Sequence, residues 1–336
     1  MLIKSLQEIG LTQSDFPLYY QDSYISFLKA SSKDIKVFIF NCESQKSLLV
    51  FSLTGLKSLN KGQYLFTPCD YQGIELEAIN EKKILEEFHE YVRIHQLMDV
   101  IYPPSHVCLF KTYPTKCLYY PFGLISYSIS DKKGDFYNAM KSNYRNEVRK
   151  IENNPNFVFK FGELELKDSY ELIKKTHEIQ GLHFDNYEVF ESLNSYLFSN
   201  YFSMTCELNN ELLGTVIILL DNKKAYYLYS GNQKSKEYPG INKVLLIRSF
   251  NFLMNRGVDE IILGGYRDEA TASSKIKGIQ NFKLRFGSEV VHGFHFIKVF
   301  NPLKFKLFTN LLQLKSFLLR KKYSIINLEG INLQKS

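Results

Sequence analysis

The sequence predicts an α+β protein, on three observations: an antiparallel meander between Tyr201 and Ser230, a buried helix after it, and a short apolar strand that returns to the same sheet. Tyr201 to Leu208 and Glu211 to Leu220 are β-rich runs separated by Asn209 and Asn210, residues that tolerate the positive φ of a tight hairpin turn. A second turn at Asp221 to Lys223 leads into Lys224 to Ser230, where alternation places Ala225, Tyr227 and Tyr229 on one face. Val244 to Met254 is apolar nearly all round, and Gly257 supplies the left-handed residue that ends such a helix. Val258 to Leu263 then fits a parallel crossover.

The first part of the chain reads as mixed α/β. Ile35 to Phe40 and Leu48 to Leu53 are strand-like, and Ile84, Leu85, Phe88, Tyr91, Val92 and His95 recur at helical spacing before a short strand near Val100. Phe122 to Ile129 is a further strand. From Phe136 the period is helical, with Phe136, Tyr137, Met140, Tyr144, Val148 and Ile151 on one face and Lys141, Arg145, Arg149 and Lys150 elsewhere. The sequence has no repeat, low-complexity tract or long linker.

Composition bounds the function. The 336 residues are 45% hydrophobic and 23% charged, which suits a folded chain of two ordinary domains or one large one and excludes a disordered or fibrous protein. The net charge of +7 favours anionic partners. Apolar runs such as Leu212 to Leu220, interrupted by Gly214 and Thr215, fall short of the roughly 18 residues that span a bilayer. The opening MLIKSLQEIG lacks the pattern of a secretory signal, so a cytoplasmic location is expected. Cys42, Cys69, Cys108, Cys117 and Cys206 are odd in number and form no CxxC, which points to buried thiols.

The motifs narrow it further. Neither GxxxxGK[ST], GxGxxG after a strand nor GxSxG occurs, against nucleotide hydrolases, dinucleotide oxidoreductases and α/β-hydrolases. HEIQGLH places His177 and His183 six apart, on different helix faces, where a zinc helix needs four; no metal site is expected. From Leu263 to Gly287 runs LGGYRDEATASSKIKGIQNFKLRFG: two glycines that let backbone and ligand approach, a polar segment, then Phe282 and Phe286 bracketing the cation of Lys283.

Four strings in order resemble the Fem-type peptidoglycan aminoacyltransferases and related GNAT-like acyltransferases: NYRNEVRK (Asn143 to Lys150), ELLGTVIILL, YYLYSGN (Tyr226 to Asn232), and LGG with the distant NFKLRFG. YYQDSYISFLK (Tyr19 to Lys29) and TPCDYQGI (Thr67 to Ile74) are weaker echoes. The resemblance implies two GNAT-like domains, each a mixed, mostly antiparallel sheet flanked by helices: residues 1–131, completed by a C-terminal helix over 301–336, and residues 132–300 with the main motifs. It implies Lys283, Phe282 and Tyr229 as catalytic residues. It implies Lys29, Arg145, Arg149, Tyr227, Gly264 and Gly265 as substrate-binding. The pyrophosphate loop of coenzyme A dependent members, Q/RxxGxG/A, is here SKEYPGINK (Ser235 to Lys243), with one glycine and a proline that removes a donor.

The function so implied is transfer of an activated acyl or aminoacyl group onto an amine of a peptidoglycan or surface-polysaccharide precursor. The donor would be aminoacyl-tRNA or acyl-coenzyme A, with no tightly bound cofactor, and the acceptor an anionic nucleotide- or lipid-linked sugar. Lys283 would stabilise negative charge and Tyr229 would orient the acyl carbonyl, while Asp268 and Glu269 are candidates for a general base or a solvated pair. One alternative is an acyl-coenzyme A dependent sugar N-acyltransferase. Another is a noncatalytic membrane-surface or RNA-binding protein, resting on the charge and on Phe305 to Lys322, whose mixed apolar and basic residues suit peripheral contact with the inner face of a membrane. No DNA partner is expected.

Overall fold

The computed structural model describes residues 1–32, 34–56, 59–103, 107–132, 135–162, 166–179, 184–233, 238–267, 274–319 and 334–335. In chain order the elements are β1 (Leu2–Ile3), α1 (Asp22–Ser31), β2 (Ile35–Cys42), β3 (Ser47–Leu56), β4 (Leu59–Tyr64), β5 (Cys69–Asp70), α2 (Ala78–His95), β6 (Val100–Tyr102) and β7 (Leu118–Ser128). Then come α3 (Ile129–Lys132), α4 (Phe136–Ala139), α5 (Ser142–Glu152), β8 (Phe157–Phe161), α6 (Leu166–Ile179), α7 (Tyr187–Tyr196), β9 (Tyr201–Leu208), β10 (Glu211–Asp221) and β11 (Lys224–Asn232). The chain continues through α8 (Ile241–Asn255), β12 (Glu260–Tyr266), α9 (Ser274–Leu284), β13 (Glu289–Val299), α10 (Pro302–Leu319) and β14 (Gln334–Lys335).

Contacts divide the chain into two compact units: Met1–Gly123 with Gly265–Lys277 and His292–Ser336, and Leu124–Gly264 with Gly278–Val291. In the first unit the strands run β1-β2-β3-β4-β6-β13, antiparallel except for the β4–β6 pair. Helix α2 buries Ile84, Leu85, Phe88 and Val92 against Phe40, Leu49, Phe51 and Tyr64 of the sheet, the helical stripe that the sequence spacing marks. Tyr64 and His89 close a buried hydrogen bond of 2.6 Å beneath them. Phe305 and Phe308 of α10 pack on Leu59, Val100 and Ile297.

In the second unit the order is β12-β11-β10-β9-β8, with β11–β12 parallel and the rest antiparallel. Asn209 and Asn210 take φ of 52° and 64°, so the hairpin turns as their residue type allows. Two glycines set the helices on the two faces. A Cβ at Gly214 would meet Ile241 and lie 2.8 Å from Leu245 Cδ1, both of α8. On the other face a Cβ at Gly231 would lie 2.6 Å from the Ile173 backbone nitrogen of α6, where Ser169 Oγ also donates to Thr215 Oγ1 at 3.2 Å. Gly257, at φ 76°, ends α8.

One expected element is divided. The sequence period suggests one helix from Phe136 to Ile151, but Met140 and Lys141 are extended (ψ 151° and 144°) and split it into α4 and α5. The break lets Phe136 turn into the rings of Tyr127 and Phe250 while Tyr144, Val148 and Ile151 face inward from α5. Arg145 Nη1 stabilises it by donating to the carbonyls of Tyr137, Asn138 and Met140 at 3.3, 3.4 and 2.6 Å.

Because the atoms facing Gly231 are backbone, which cannot rotate away, Gly231→Ala should lower stability by about 1–3 kcal/mol. The measurement is the urea-unfolding midpoint; a midpoint equal to wild type would show that α6 does not bear directly on β11.

Candidate active site

Strands β11 and β12 part company early. Their parallel ladder joins only Lys224 to Glu260, Ala225 to Ile261 and Tyr226 to Ile262, although both strands continue beyond it. The parting strands therefore carry main-chain groups that this ladder does not use.

A bulge at the same place re-aims the side chains. Tyr227 lies opposite Ile218 and Tyr229 opposite Ile217, leaving Leu228 as the extra residue. Consecutive residues of β10 point to opposite faces, so their partners do too. This corrects the sequence expectation that Tyr227 and Tyr229 share a face, since strict alternation ignores an inserted residue. Tyr229 goes to the α6 side, with ring centroids 5.0 Å from Phe184, 6.2 Å from His177 and 6.4 Å from Phe190. Tyr227 goes to the other side, where its hydroxyl donates to Ser230 Oγ. Burial pushes both phenols up to about 12, so both are protonated at neutral pH.

Lys283 arrives from α9. Phe282 and Phe286, one turn apart, pack on Tyr144 of α5 with centroids at 5.9 and 5.3 Å, and this aromatic cluster fixes the helix. The next position on the helix, Lys283, is turned by about 100°. Its Nζ lies 5.5 Å from the centroid of the Tyr227 ring. The ring beside the cation is thus Tyr227, and the expected bracketing by Phe282 and Phe286 is replaced by their packing on Tyr144. The polar run before Lys283 is expected as a loop; its last part is helix from Ser274.

Gly264 makes room for this lysine. It holds φ at 120°, which side chains disfavour, and a Cβ there would lie 2.9 Å from Lys283 Nζ. Among the described residues no carboxylate pairs with Lys283, and burial pulls its ammonium down to about 8 from an ordinary lysine value near 10.5. A desolvated cation at such a place can meet a developing anion with little competition from water. Ser288 Oγ accepts no role there; it donates to the Lys283 carbonyl at 2.8 Å and holds the helix end.

The other anticipated residues lie as follows. Gly265 follows Gly264 in β12, half-buried. Arg145 Nη1 is engaged by the three carbonyls described above, and Arg149 is exposed on α5. Lys29 is exposed on α1, in the first unit. His177 Nδ1 lies 3.0 Å from the Ile173 carbonyl. His183, Asp268, Glu269 and part of SKEYPGINK (235–237) lie outside the described residues. Sequence reasoning missed Ser230, Tyr144 and Tyr201; the last lies near Tyr229, its buried hydroxyl without a hydrogen-bond partner among the described residues. No sequence signal singles out Tyr201, whereas Tyr144 is on the apolar stripe of the basic helix.

At the start of α8, a Cβ on Gly240 would lie 2.9 Å from the Glu147 carbonyl oxygen, so α5 is packed against the helix end. Lys243, in the first turn, is paired with the Glu147 carboxylate and lies 4.5 Å from the Tyr144 ring centroid.

If burial sets the state of Lys283, its Nζ should titrate near pH 8 when followed by NMR in ε-carbon-labelled protein. Gly264→Ala should move that midpoint and lower the melting temperature, through the φ strain of about 1–3 kcal/mol at such a site. A wild-type midpoint above pH 10 would show an ammonium in open water.

No protein-family model matches the chain, and no curated protein matches it. Solved structures do. It superposes on FemX with a TM-score of 0.67 at 10% identity, over 91% of this chain and 99% of FemX. L-PGS from Bacillus licheniformis gives 0.51 at 12% identity, over 83% and 89%. A domain described as the C-terminal part of a lysylphosphatidylglycerol synthetase from Agrobacterium fabrum gives 0.51 at 10%, over 87% and 92%. With its mixed, mostly antiparallel sheets flanked by helices, the chain has the α+β fold of FemX.

Proposed function

We propose that the protein is an acyltransferase that moves an aminoacyl group from an activated ester onto an amine of a cell-envelope precursor. The observation that carries the reading is the Lys283 ammonium, desolvated between Tyr227 and Gly264 beside the parting strands β11 and β12. The likeness in fold to FemX and to a domain described as a lysylphosphatidylglycerol synthetase supports aminoacyl transfer as the class.

The chemistry is direct aminolysis. The acceptor nitrogen attacks the donor carbonyl, the carbonyl π pair moves onto oxygen, and the tetrahedral intermediate collapses as the C–O bond to the donor breaks. The amine proton leaves with the alkoxide. No covalent enzyme intermediate is required, so positioning and charge stabilisation carry the rate. Lys283, protonated, donates to the oxyanion. The Tyr227 ring face lowers the cost of holding the cation dry, and the hydrogen bond to Ser230 fixes that ring. Tyr229, among aromatic neighbours on the other face, supports the sheet behind the site.

An aminoacyl ester of tRNA is favoured over acyl-coenzyme A as the donor. Pyrophosphate would sit at the first turn of α8, and there α5 packs closely on Gly240 and holds the Glu147 carboxylate beside Lys243. Thiol release from acetyl-coenzyme A tests the alternative, and mass spectrometry of copurifying RNA and small molecules tests the donor directly.

Lys283→Met should retain the fold and lose about 100- to 1000-fold in transfer from aminoacyl-tRNA. The wild-type rate should carry a limb that falls above about pH 8 and is absent from the residual activity of the variant. Stability gives an independent sign. Folding lowers the lysine pKa, so between about pH 8 and 10.5 the unfolded chain holds more protons and stability rises with pH. At pH 7 the burial cost is fully present, and Lys283→Met should melt no lower than wild type. Near wild-type turnover in that variant would end the assignment.

A further inference from the structure

Helix α10 has two apolar faces, and the first unit uses one. Phe305 and Phe308 pack on Leu59, Val100 and Ile297. Asn301 Oδ1 accepts from the Lys304 amide at 3.1 Å to start the helix, and Lys304 Nζ lies 3.2 Å from Asp99, which anchors it to the sheet. What remains is a second stripe. Leu303, Leu307, Leu311 and Leu314 are 83, 60, 51 and 55% exposed. Their spacing of four, four and three residues puts them within a sector of about 80°. A helix whose buried face is already satisfied has no reason of stability to show water a row of leucines.

The charge pattern selects the occupant. From Pro302 to Asn327 the sequence holds six cations, Lys304, Lys306, Lys315, Arg320, Lys321 and Lys322, and no Asp or Glu. By helical rotation Lys304 and Lys306 fall on opposite borders of the leucine stripe; Lys304 is engaged by Asp99 with its side chain 52% exposed, and Lys306 is exposed. A second copy of this face would bring like charges together. An anionic bilayer accepts both parts, leucines into the acyl boundary and ammonium groups at the phosphates. Among the described residues no helix is long and apolar enough to cross a membrane, so the geometry is that of a helix lying in the interface. We propose that the exposed leucine stripe of α10, bordered by lysines, docks the protein on an anionic lipid surface. This does not depend on the transfer chemistry.

The test is flotation of the full chain with vesicles, without substrates. Vesicles of phosphatidylcholine with about one third phosphatidylglycerol should carry the protein, pure phosphatidylcholine much less, and added salt should release it. Leu307→Gln with Leu311→Gln should cut the partition by about tenfold or more with an unchanged melting temperature, because both side chains already face water. Lys306→Gln should weaken binding modestly and flatten its salt dependence. Absence of flotation with the anionic vesicles, flotation unaffected by the paired leucine substitutions, or a concentration-dependent dimer that those substitutions abolish would each overturn the proposal.

Discussion

One extra residue, Leu228, governs what the second unit presents. Without it Tyr227 and Tyr229 would point the same way from β11; with it one ring goes to the α6 face and the other to the face that Lys283 reaches. The bulge also coincides with the end of the β11–β12 ladder, which stops at Tyr226. Strand parting and side-chain redirection are thus one local event. A bulge strengthens twist and leaves a residue outside the β10–β11 pairing, at the point where the ladder to β12 stops.

The position of Lys283 depends on groups far from it in sequence. Its helix is held by Phe282 and Phe286 against Tyr144, and Tyr144 is held by the inward stripe of α5. That stripe forms because α4 and α5 separate at Met140 and Lys141, a break that Arg145 stabilises by binding the exposed carbonyls of α4. The cation is then delivered to a spot where Gly264 withholds a side chain. Desolvation alone opposes such a charge, and the ring of Tyr227 offsets only part of that cost. A lysine kept in this condition, with its titration pulled toward neutrality, is placed for chemistry more than for stability.

Much of the fold is legible in the sequence. The meander, its Asn-Asn turn and the helix ended by Gly257 follow from period and turn chemistry, because each is decided by residues close in sequence. The bulge is not, since no residue type at Leu228 marks it and only cross-strand register defines it. The bracketing of Lys283 failed for a related reason. Phe282 and Phe286 flank it in the string, but Phe282 in α9 and Phe286 in the turn after it both pack on Tyr144, while Lys283 turns toward Tyr227. The division of α4 from α5 was hidden because apolar spacing continues across it while the backbone does not.

The surplus of positive charge is not spread evenly over possible roles. In the second unit Lys243 is paired with Glu147, Arg248 lies 3.7 Å from Glu152, Lys223 lies 3.3 Å from Asp259, and Arg145 is engaged by carbonyls. Each of these cations already has an anion or a set of dipoles, so none is poised for a ligand's charge at no cost. Lys283, half-buried and without a carboxylate among the described residues, is the contrast. In α10 the arrangement differs: Lys304 lies 3.2 Å from Asp99 of the sheet, whereas Lys306 is exposed, and the helix itself holds no acidic residue. A single desolvated cation suits a localised, transient negative charge, whereas an exposed lysine beside an apolar stripe suits an extended anionic surface. Lys283 and Lys306 thus contribute to the same net charge of +7 in different settings, one desolvated and one exposed.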